Sequence, residues 1–282
     1  MNKKATKIGV VVILSALFIL SMFAKTAYAV TNGVPDENNH PYVVLVVADV
    51  DGVPAWRGTG VLISSTVVLT AGHVTEGASA CRIWFYEDVT YNHVPYPLYP
   101  YGGPGSGAIE GVPYTDPDYT SPISENGNGV PTFSAHDVGI VVLDQPVILS
   151  EYGLLPDVGY VDTLKVRTDV DAVGYGVQYQ VRGGGVSPYN SWTGPRIRMY
   201  APAQILSGSF SWSNELVRVS ANPGQGKGGT AFGDSGGPIL LAGTNVILAL
   251  NSYVVNVNCA GVTYAQRVDI QDVETWVSTF MP

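Results

Sequence analysis

The sequence is poor in cysteine, in basic residues and in long apolar runs beyond its first thirty positions. Its 282 residues include only two cysteines, Cys81 and Cys259, which lie so far apart that they give little support to a disulfide. With 14 basic against 23 acidic residues, the chain lacks the positive surface that nucleic acids and anionic membranes attract. We therefore expect neither partner, and we expect stability to come from the packing of an apolar core.

The one long apolar run lies at the start of the chain. Three lysines precede an almost wholly apolar run over 8–24, and Ala27 and Ala29 form an Ala-x-Ala site. This order is typical of a secretory signal peptide over 1–29, cleaved after Ala29. The alternative, a retained membrane anchor, is disfavoured because the run is shorter than the roughly 20 residues that span a bilayer. We expect a secreted, extracellular protein without a membrane segment. Cleavage removes four lysines and no acid, which leaves 10 basic residues against 23 acidic ones and a formal charge of −13.

The rest of the chain is rich in turn formers and in short β-like runs. It has 33 glycines and 19 prolines, and these separate apolar runs such as YVVLVV at 42–47 and VGIVVL at 138–143. Further runs lie near 58–63, 66–71, 81–86, 171–176, 197–200, 203–206, 216–220, 237–242, 246–253 and 263–268. Two groups of short strands predict an all-β fold of two small antiparallel barrels.

Two segments depart from the strand pattern. The stretch 92–135 is rich in Pro, Gly, Tyr, Ser and Asn and lacks periodicity, which predicts a long surface loop or insertion. Apolar residues recur at helical spacing near the end of the chain, which predicts a C-terminal α-helix over 269–280, with Asp269 as its cap. No pair of histidines or cysteines has the spacing of a metal site, so we expect neither a metal nor a cofactor.

Three short motifs contain the residue types of nucleophilic catalysis. In GDSGGP, Ser235 lies between glycines, which leave it little steric cover, and the N–H groups of Gly233 and Ser235 can converge on a developing oxyanion. His73 ends the strand-like VVLTAGHV and has the near-neutral pKa of a general base. Asp137 precedes an apolar strand that can hold its carboxylate away from bulk water, whereas the rival Asp144, after the same strand, suits a solvated turn.

Each motif alone has a plainer explanation, such as a glycine-rich turn or a structural histidine, but their order is specific. The order His, Asp, Ser is that of chymotrypsin and differs from that of subtilisin and the α/β-hydrolases. With VTNG, VGYG and NSY, these motifs make residues 30–282 resemble the trypsin- and chymotrypsin-like serine peptidases. The chain departs from that family at Val74 and Ala231, where cysteines are common. In the family, a cysteine at position 231 would form a disulfide with the one at position 259, and here that disulfide is absent because residue 231 is alanine.

The resemblance implies a fold and an activity. The fold would be two six-stranded antiparallel barrels packed face to face, over 30–155 and 156–282, with the site between them. The first barrel would supply His73 and Asp137, and the second would supply Ser235. The implied protein is a monomeric secreted serine endopeptidase that hydrolyses polypeptides through an acyl-enzyme.

The resemblance also implies a substrate pocket formed by Gly229, Thr230, Ser252, Tyr253 and Val254. Gly229, six residues before the nucleophile, offers no charge to Lys or Arg, and Val254 would narrow the pocket wall. We therefore expect a preference for neutral, small or medium apolar side chains before the scissile bond. The Ser252 hydroxyl also matches the family's serine that supports the aspartate, and the less favoured alternative is an ordinary strand serine.

Activation is implied at the predicted signal-cleavage site itself. In this family the first mature residue inserts its α-ammonium beside the aspartate that precedes the nucleophile, and here these residues are Val30 and Asp234. Signal cleavage would therefore both export and activate the enzyme. Pairing should raise the pKa of the amine above its reference value of about 7.7–8.0, so activity should fade at high pH.

Two alternatives to an unrestricted endopeptidase remain. One is a non-catalytic serine-peptidase homologue that acts as a binding protein. Such a homologue usually lacks a triad residue, and this sequence has all three. The other is a processing peptidase whose stretch 92–135 restricts access to the site.

Overall fold

A computed structural model describes most of the chain beyond the predicted signal peptide. The described residues are 33–89, 99–102, 106–120, 136–177, 179–181, 191–193, 196–207, 214–221, 228–254, 259 and 261–282. The predicted signal peptide over 1–29 and Val30 lie outside them.

Short strands dominate the described residues. The strands are β1 Val34–Pro35, β2 Val43–Val50, β3 Val53–Leu62, β4 Val67–Thr70, β5 Ala80–Trp84, β6 Ile109–Thr115, β7 Gly139–Leu143, β8 Asp169–Gly174, β9 Tyr179–Val181, β10 Ser191–Thr193, β11 Met199–Ser207, β12 Leu216–Ala221, β13 Pro238–Leu241, β14 Ile247–Val254 and β15 Gly261–Arg267. The helices are α1 Gly72–Thr75, a 3₁₀ turn at Tyr160–Thr163 and α2 Gln271–Ser278.

The first barrel closes in the order β2-β3-β4-β7-β6-β5. Strand β2 pairs with both β3 and β5, and its first seven residues are buried, which explains why its sequence is an apolar run and not an alternating pattern. Inward side chains such as Val44, Leu69 and Ile140 fill the interior. Because β4 and β7 are neighbours, the ends of these two strands bring His73 and Asp137 together.

Strand β6 corrects the expectation of an unbroken loop over 92–135. Residues Ile109–Thr115 pair with β5 and β7 and complete the barrel. The sequence hides this strand because Gly111 and Pro113 interrupt its alternation and both are poor strand formers. Gly111 is needed there, since a Cβ would lie 2.7 Å from the Val142 carbonyl oxygen.

The second barrel closes in the order β11-β12-β15-β14-β13-β8, with β8 also paired to β11. Strand β1 lies along β11 outside this ring. The all-β fold with two closed six-stranded barrels and one longer C-terminal helix is confirmed. Strand β11 is continuous over Met199–Ser207, where the sequence pattern indicated separate runs near 197–200 and 203–206.

The C-terminal helix packs Val273 and Val277 into the first barrel's core. It begins at Gln271, and Asp269 does not cap it, since the helix has no side-chain cap. The Asp269 carboxylate instead accepts hydrogen bonds from Arg267 at 2.8 Å and from the Val161 N–H at 2.7 Å. The Asp269 carboxylate, predicted from the sequence to cap the N-terminus of α2, therefore binds the buried guanidinium of Arg267 instead.

A buried ion pair fixes the start of the described chain against the second barrel. Arg198 and Asp36 are both fully buried, and the Arg198 Nε donates to Asp36 at 2.8 Å. Other guanidinium nitrogens of Arg198 donate to the Val43 carbonyl oxygen at 2.9 Å and to Asn38 Oδ1 at 2.7 Å. This network holds the segment before β2 against Arg198, the residue that directly precedes β11.

The two cysteines are buried thiols that form no disulfide within the described residues. Cys81 lies in β5, whereas Cys259 packs with Val177 and Ala231 in the second barrel. The described residues include no helix that is long and apolar enough to span a membrane.

Candidate active site

His73 lies in the single turn α1, which directly follows β4. The two residues before it are small because the chain is crowded there: a Cβ on Gly72 would lie 3.0 Å from the Tyr119 ring and 3.1 Å from the Val138 carbonyl oxygen. Thr70, the last residue of β4, pairs with Gly139 of β7. The tight turn therefore places the imidazole beside the residue that precedes β7, which is Asp137.

The Asp137 carboxylate is fully buried and holds the His73 ring. The His73 Nδ1 lies 2.9 Å from Oδ2 and 3.1 Å from Oδ1, and the His73 backbone N–H donates to Oδ1 at 2.9 Å. A carboxylate can only accept, so Nδ1 is the donor and Nε2 is left as the proton acceptor of the neutral ring. This is the tautomer that a general base requires.

Two residues of the second barrel complete the surroundings of Asp137. The Ser252 hydroxyl donates to Oδ2 at 2.5 Å, and the Asp137 backbone N–H donates to Gln266 Oε1 at 3.0 Å. The Ser252 position expected from the sequence therefore contacts the carboxylate. Gln266 was not anticipated, because a glutamine in an apolar strand carries no motif. Both contacts join the barrels at the candidate site.

The pair formed by His73 and Asp137 has opposite pKa shifts. Burial of the His73 ring favours its neutral form, but the Asp137 charge and hydrogen bond outweigh burial and raise the pKa of His73. Burial likewise works against ionised Asp137, but His73 and the hydrogen bonds from His73 and Ser252 outweigh it and lower the pKa of Asp137. The carboxylate thus stays ionised and can stabilise an imidazolium.

Ser235 lies on the turn before β13 and is half-buried. Its carbonyl oxygen accepts the Thr59 N–H at 2.8 Å. At the next residue, Gly236, φ is +79° and a Cβ would lie 2.1 Å from Thr70 Oγ1 and 2.6 Å from the Ala71 nitrogen. Only glycine fits, and the nucleophile turn therefore packs directly against the strand end that precedes His73.

Ser235 lies near the turn that contains His73, since a Cβ on Gly58 would lie 2.8 Å from the Ser235 carbonyl oxygen and 2.7 Å from Val74, the residue after His73. Among the described residues, the His73 ring is hydrogen-bonded to Asp137 alone. Ligand-free active sites often show long catalytic hydrogen bonds that shorten only when substrate binds.

The predicted oxyanion-hole residues flank this turn. Gly233 has φ +97°. The carbonyl oxygen of the Phe232–Gly233 peptide accepts the Val177 N–H at 2.8 Å, and the Gly233 carbonyl oxygen accepts the Thr59 hydroxyl at 2.9 Å, so the peptides on both sides of Gly233 are held in place. Neither the Gly233 N–H nor the Ser235 N–H donates to another group within the described residues. Both donors can therefore serve an oxyanion.

Asp234 lies beneath the same turn and is fully buried. Its carboxylate accepts the Gly176 N–H at 2.7 Å and the Ala231 N–H at 2.8 Å. Burial raises the pKa of Asp234 to about 6, although these hydrogen bonds and the charge of Arg57 oppose the shift. The partner predicted from the sequence, the Val30 ammonium, lies outside the described residues, so that pairing stays a prediction.

A cavity of about 160 Å³ opens beside Ser235. Four of the five predicted pocket residues line it: Thr230, Ser252, Tyr253 and Val254. The fifth, Gly229, is buried and does not line it. The remaining lining residues are Ala231, Phe232 and Asn251, besides Ser235 itself.

The cavity lining contains no charged side chain among the described residues. On its wall, Tyr253 stacks on Tyr264 with ring centroids 4.8 Å apart. Thr230 Oγ1 lies 2.9 Å from Thr263 Oγ1. Nothing in this lining could neutralise a buried Lys or Arg side chain.

Two further residues considered in the sequence as candidates near the site, Asp144 and His136, do not line the cavity beside Ser235. Asp144 is exposed, as a turn acid should be. His136 lies near Asp116 and Glu215, at 3.8 and 3.6 Å. Asp116, Asp118 and His136 bring their ligand atoms within 4.8 Å of one another, and the buried His136 Nδ1 has no hydrogen-bond partner among the described residues.

Comparisons with known proteins agree with this geometry. The family model described as Trypsin matches residues 31–277. Among solved structures, HL collagenase is 16% identical with a TM-score of 0.61, covering 90% of this chain and 95% of that one. Human heparin binding protein is 16% identical with a TM-score of 0.58, covering 88% and 94%. At this identity the structures show a shared fold alone. No curated protein matches the sequence.

Proposed function

The chain belongs to the trypsin family, and on that premise we propose that it is a secreted serine endopeptidase that uses His73, Asp137 and Ser235. The observation that carries the proposal is the buried Asp137 carboxylate, whose Oδ2 accepts hydrogen bonds from both Nδ1 of His73 and the Ser252 hydroxyl. That arrangement leaves Nε2 as the proton acceptor of the ring, which is the role of a base for the Ser235 hydroxyl.

The proposed reaction proceeds in two halves. Ser235 Oγ attacks the carbonyl carbon of the scissile peptide while His73 Nε2 takes the hydroxyl proton. The N–H groups of Gly233 and Ser235 stabilise the oxyanion, and the imidazolium then protonates the leaving amine. Water, deprotonated by the same imidazole, hydrolyses the acyl-enzyme and regenerates Ser235.

The side chain before the scissile bond would occupy the uncharged cavity beside Ser235. Without a lining carboxylate, a buried Lys or Arg would keep an uncompensated charge, which is costly in a low-dielectric pocket. The proposed enzyme therefore prefers neutral side chains at this position. The formal charge of −13 after signal removal favours solubility. The proposal further includes extracellular action on polypeptides, as a monomer and without a cofactor.

The competing proposal is a non-catalytic homologue that acts as a binding protein, and one solved neighbour is named for heparin binding. The acidic composition disfavours a polyanionic ligand for this chain, because like charges repel. A binding protein also has no need of an oriented imidazole or of the left-handed Gly233 and Gly236 beside Ser235.

Hydrolysis of a mixed peptide library separates these two proposals. We expect cleavage by the wild-type protein and none by Ser235→Ala. The matched control is Ser150→Ala, which changes an exposed serine and should retain wild-type rates. Equal activity of the wild type and Ser235→Ala would refute the proposed nucleophile, and a folded wild type that cleaves nothing would favour the binding protein.

A further inference from the structure

An asparagine in the lining of the cavity beside Ser235 has a side-chain amide without a hydrogen-bond partner among the described residues. Asn251 lies on β14, lines the cavity and is only 3% exposed. Within the described part of the chain, neither its Nδ2 nor its Oδ1 has a hydrogen-bond partner. Its backbone is fixed, since its N–H donates to the Gly237 carbonyl oxygen at 2.9 Å and its carbonyl oxygen accepts the Gly236 N–H at 2.8 Å.

Buried amides are almost always hydrogen-bonded, because an unsatisfied donor or acceptor keeps the full penalty of its desolvation. The neighbouring hydroxyls do not relieve Asn251. Thr230 and Thr263 are bonded to each other at 2.9 Å, and Ser252 is bonded to Asp137 at 2.5 Å. The Asn251 amide is therefore available to a ligand that enters the cavity.

We propose that Asn251 determines specificity by binding a primary-amide side chain, Gln or Asn, of the residue before the scissile bond. The inference rests on the proposed function and narrows its neutral preference. A primary amide presents one donor face and one acceptor face, and so does Asn251. Two antiparallel hydrogen bonds can form, from Nδ2 to the substrate oxygen and from the substrate nitrogen to Oδ1.

Other side chains fit this cavity less well. An aliphatic side chain would seal the cavity and leave both amide atoms of Asn251 buried without partners. A carboxylate would accept from Nδ2 but would place its second oxygen against Oδ1, and no cation lines the cavity in the described part of the chain. Its buried charge would have no counter-ion.

The test uses three peptides that differ only before the scissile bond, with Gln, Met or Glu at that position. Met is the apolar counterpart of Gln in length and shape, and Glu is its charged counterpart. We expect kcat/KM for Gln to exceed that for Met and for Glu by roughly 10- to 100-fold in the wild type, as two neutral hydrogen bonds allow. Asn251→Leu should cleave the Met peptide at least as fast as the Gln peptide.

The matched control is Asn245→Leu, which changes a partly buried asparagine that donates to the Tyr152 carbonyl oxygen and does not line the cavity. It should retain the wild-type preference for Gln. Labelling of Ser235 by a fluorophosphonate, measured in parallel, reports the catalytic machinery separately from the choice of side chain.

A labelled wild type that cleaves the Met or Glu peptide as well as the Gln peptide would overturn the role of Asn251 and leave the proposed function intact. A preference for Gln that survives in labelled Asn251→Leu would overturn it as well. A wild type that is neither labelled nor active would overturn both. If Asn251→Leu does not fold, the wild-type ratios alone decide.

Discussion

A chain that retains even one residue before Val30 is predicted to be about 100-fold less active than a chain that begins at Val30. The physical reason lies at Asp234, which is fully buried beneath the nucleophile turn. Without an ammonium, the groups around it leave the pKa of this carboxyl raised from 3.8 to about 6. That shift of about two units corresponds to about 3 kcal/mol against the ionised form.

A Val30 ammonium paired with Asp234 must offset this cost, and the peptide bond of an uncleaved chain cannot. At neutral pH Asp234 is ionised in both forms, so the cost falls on the turn that buries its charge. If the uncleaved chain relieves that cost by leaving the active turn conformation, the same 3 kcal/mol, roughly, separates the two forms in catalysis, or about two orders of magnitude in rate. The comparison needs two proteins released from a fusion partner, one that begins at Val30 and one that begins at Ala29.

The assay is kcat/KM on one peptide substrate, with active sites counted by fluorophosphonate titration. Asp234→Asn in the Val30-initiated chain should lose activity to a similar extent. Activities within about twofold for the chains that begin at Val30 and Ala29 would refute the reasoning, because the ammonium would then have no role.

Stability against pH offers an independent check on Asp234. Its pKa in the folded uncleaved chain, about 6, lies above the ordinary 3.8, so between these values the unfolded chain has lost the proton that the folded chain still holds. Stability should therefore fall as pH rises from about 4 to about 6. The fall should be smaller in the Val30-initiated chain. In Asp234→Asn only the contribution of other carboxyls with raised pKa values, such as Asp49 and Asp116, should remain.

The remaining predictions concern the other parts of the site. Activity should be lost as pH falls through the raised pKa of His73, and a kcat/KM profile with its acid midpoint clearly below the reference value of about 6.5 would contradict that role. Ser252→Ala removes a hydrogen bond to ionised Asp137, and kcat should fall about tenfold while circular dichroism stays unchanged; full activity would show that the hydroxyl is dispensable. Gly236→Ala places a Cβ 2.1 Å from a threonine oxygen and should lower both activity and melting temperature. Gly243→Ala, also left-handed but with open space around it, should retain activity, and equal losses in the two variants would exclude the clash as the cause.

The triad candidates could be identified from the sequence because each combines a chemical motif with a position at a strand end. His73 follows an apolar strand, and Asp137 precedes one. Antiparallel pairing of those two strands, β4 and β7, then brings both residues together. The pocket was inferred through a resemblance, and four of its five residues line the observed cavity.

Other features depend on contacts that no local pattern encodes. The sequence pattern did not predict strand β6, because Gly111 and Pro113 have low strand propensity. Both residues nevertheless lie in the strand that closes the first barrel. The buried pair of Arg198 and Asp36 joins residues 162 positions apart. In the sequence, Asn251 resembles any other polar strand residue. Only the fold shows that its side chain lines a cavity and has no hydrogen-bond partner among the described residues.

The most direct test of the central claim is the site at which a fluorophosphonate reacts with the folded Val30-initiated chain, determined by peptide mass spectrometry. The account predicts a single adduct on Ser235, which is absent from His73→Ala and from protein denatured before labelling. A correctly folded protein in which Ser235 stays unmodified, or in which His73→Ala is labelled at the wild-type rate, would contradict it.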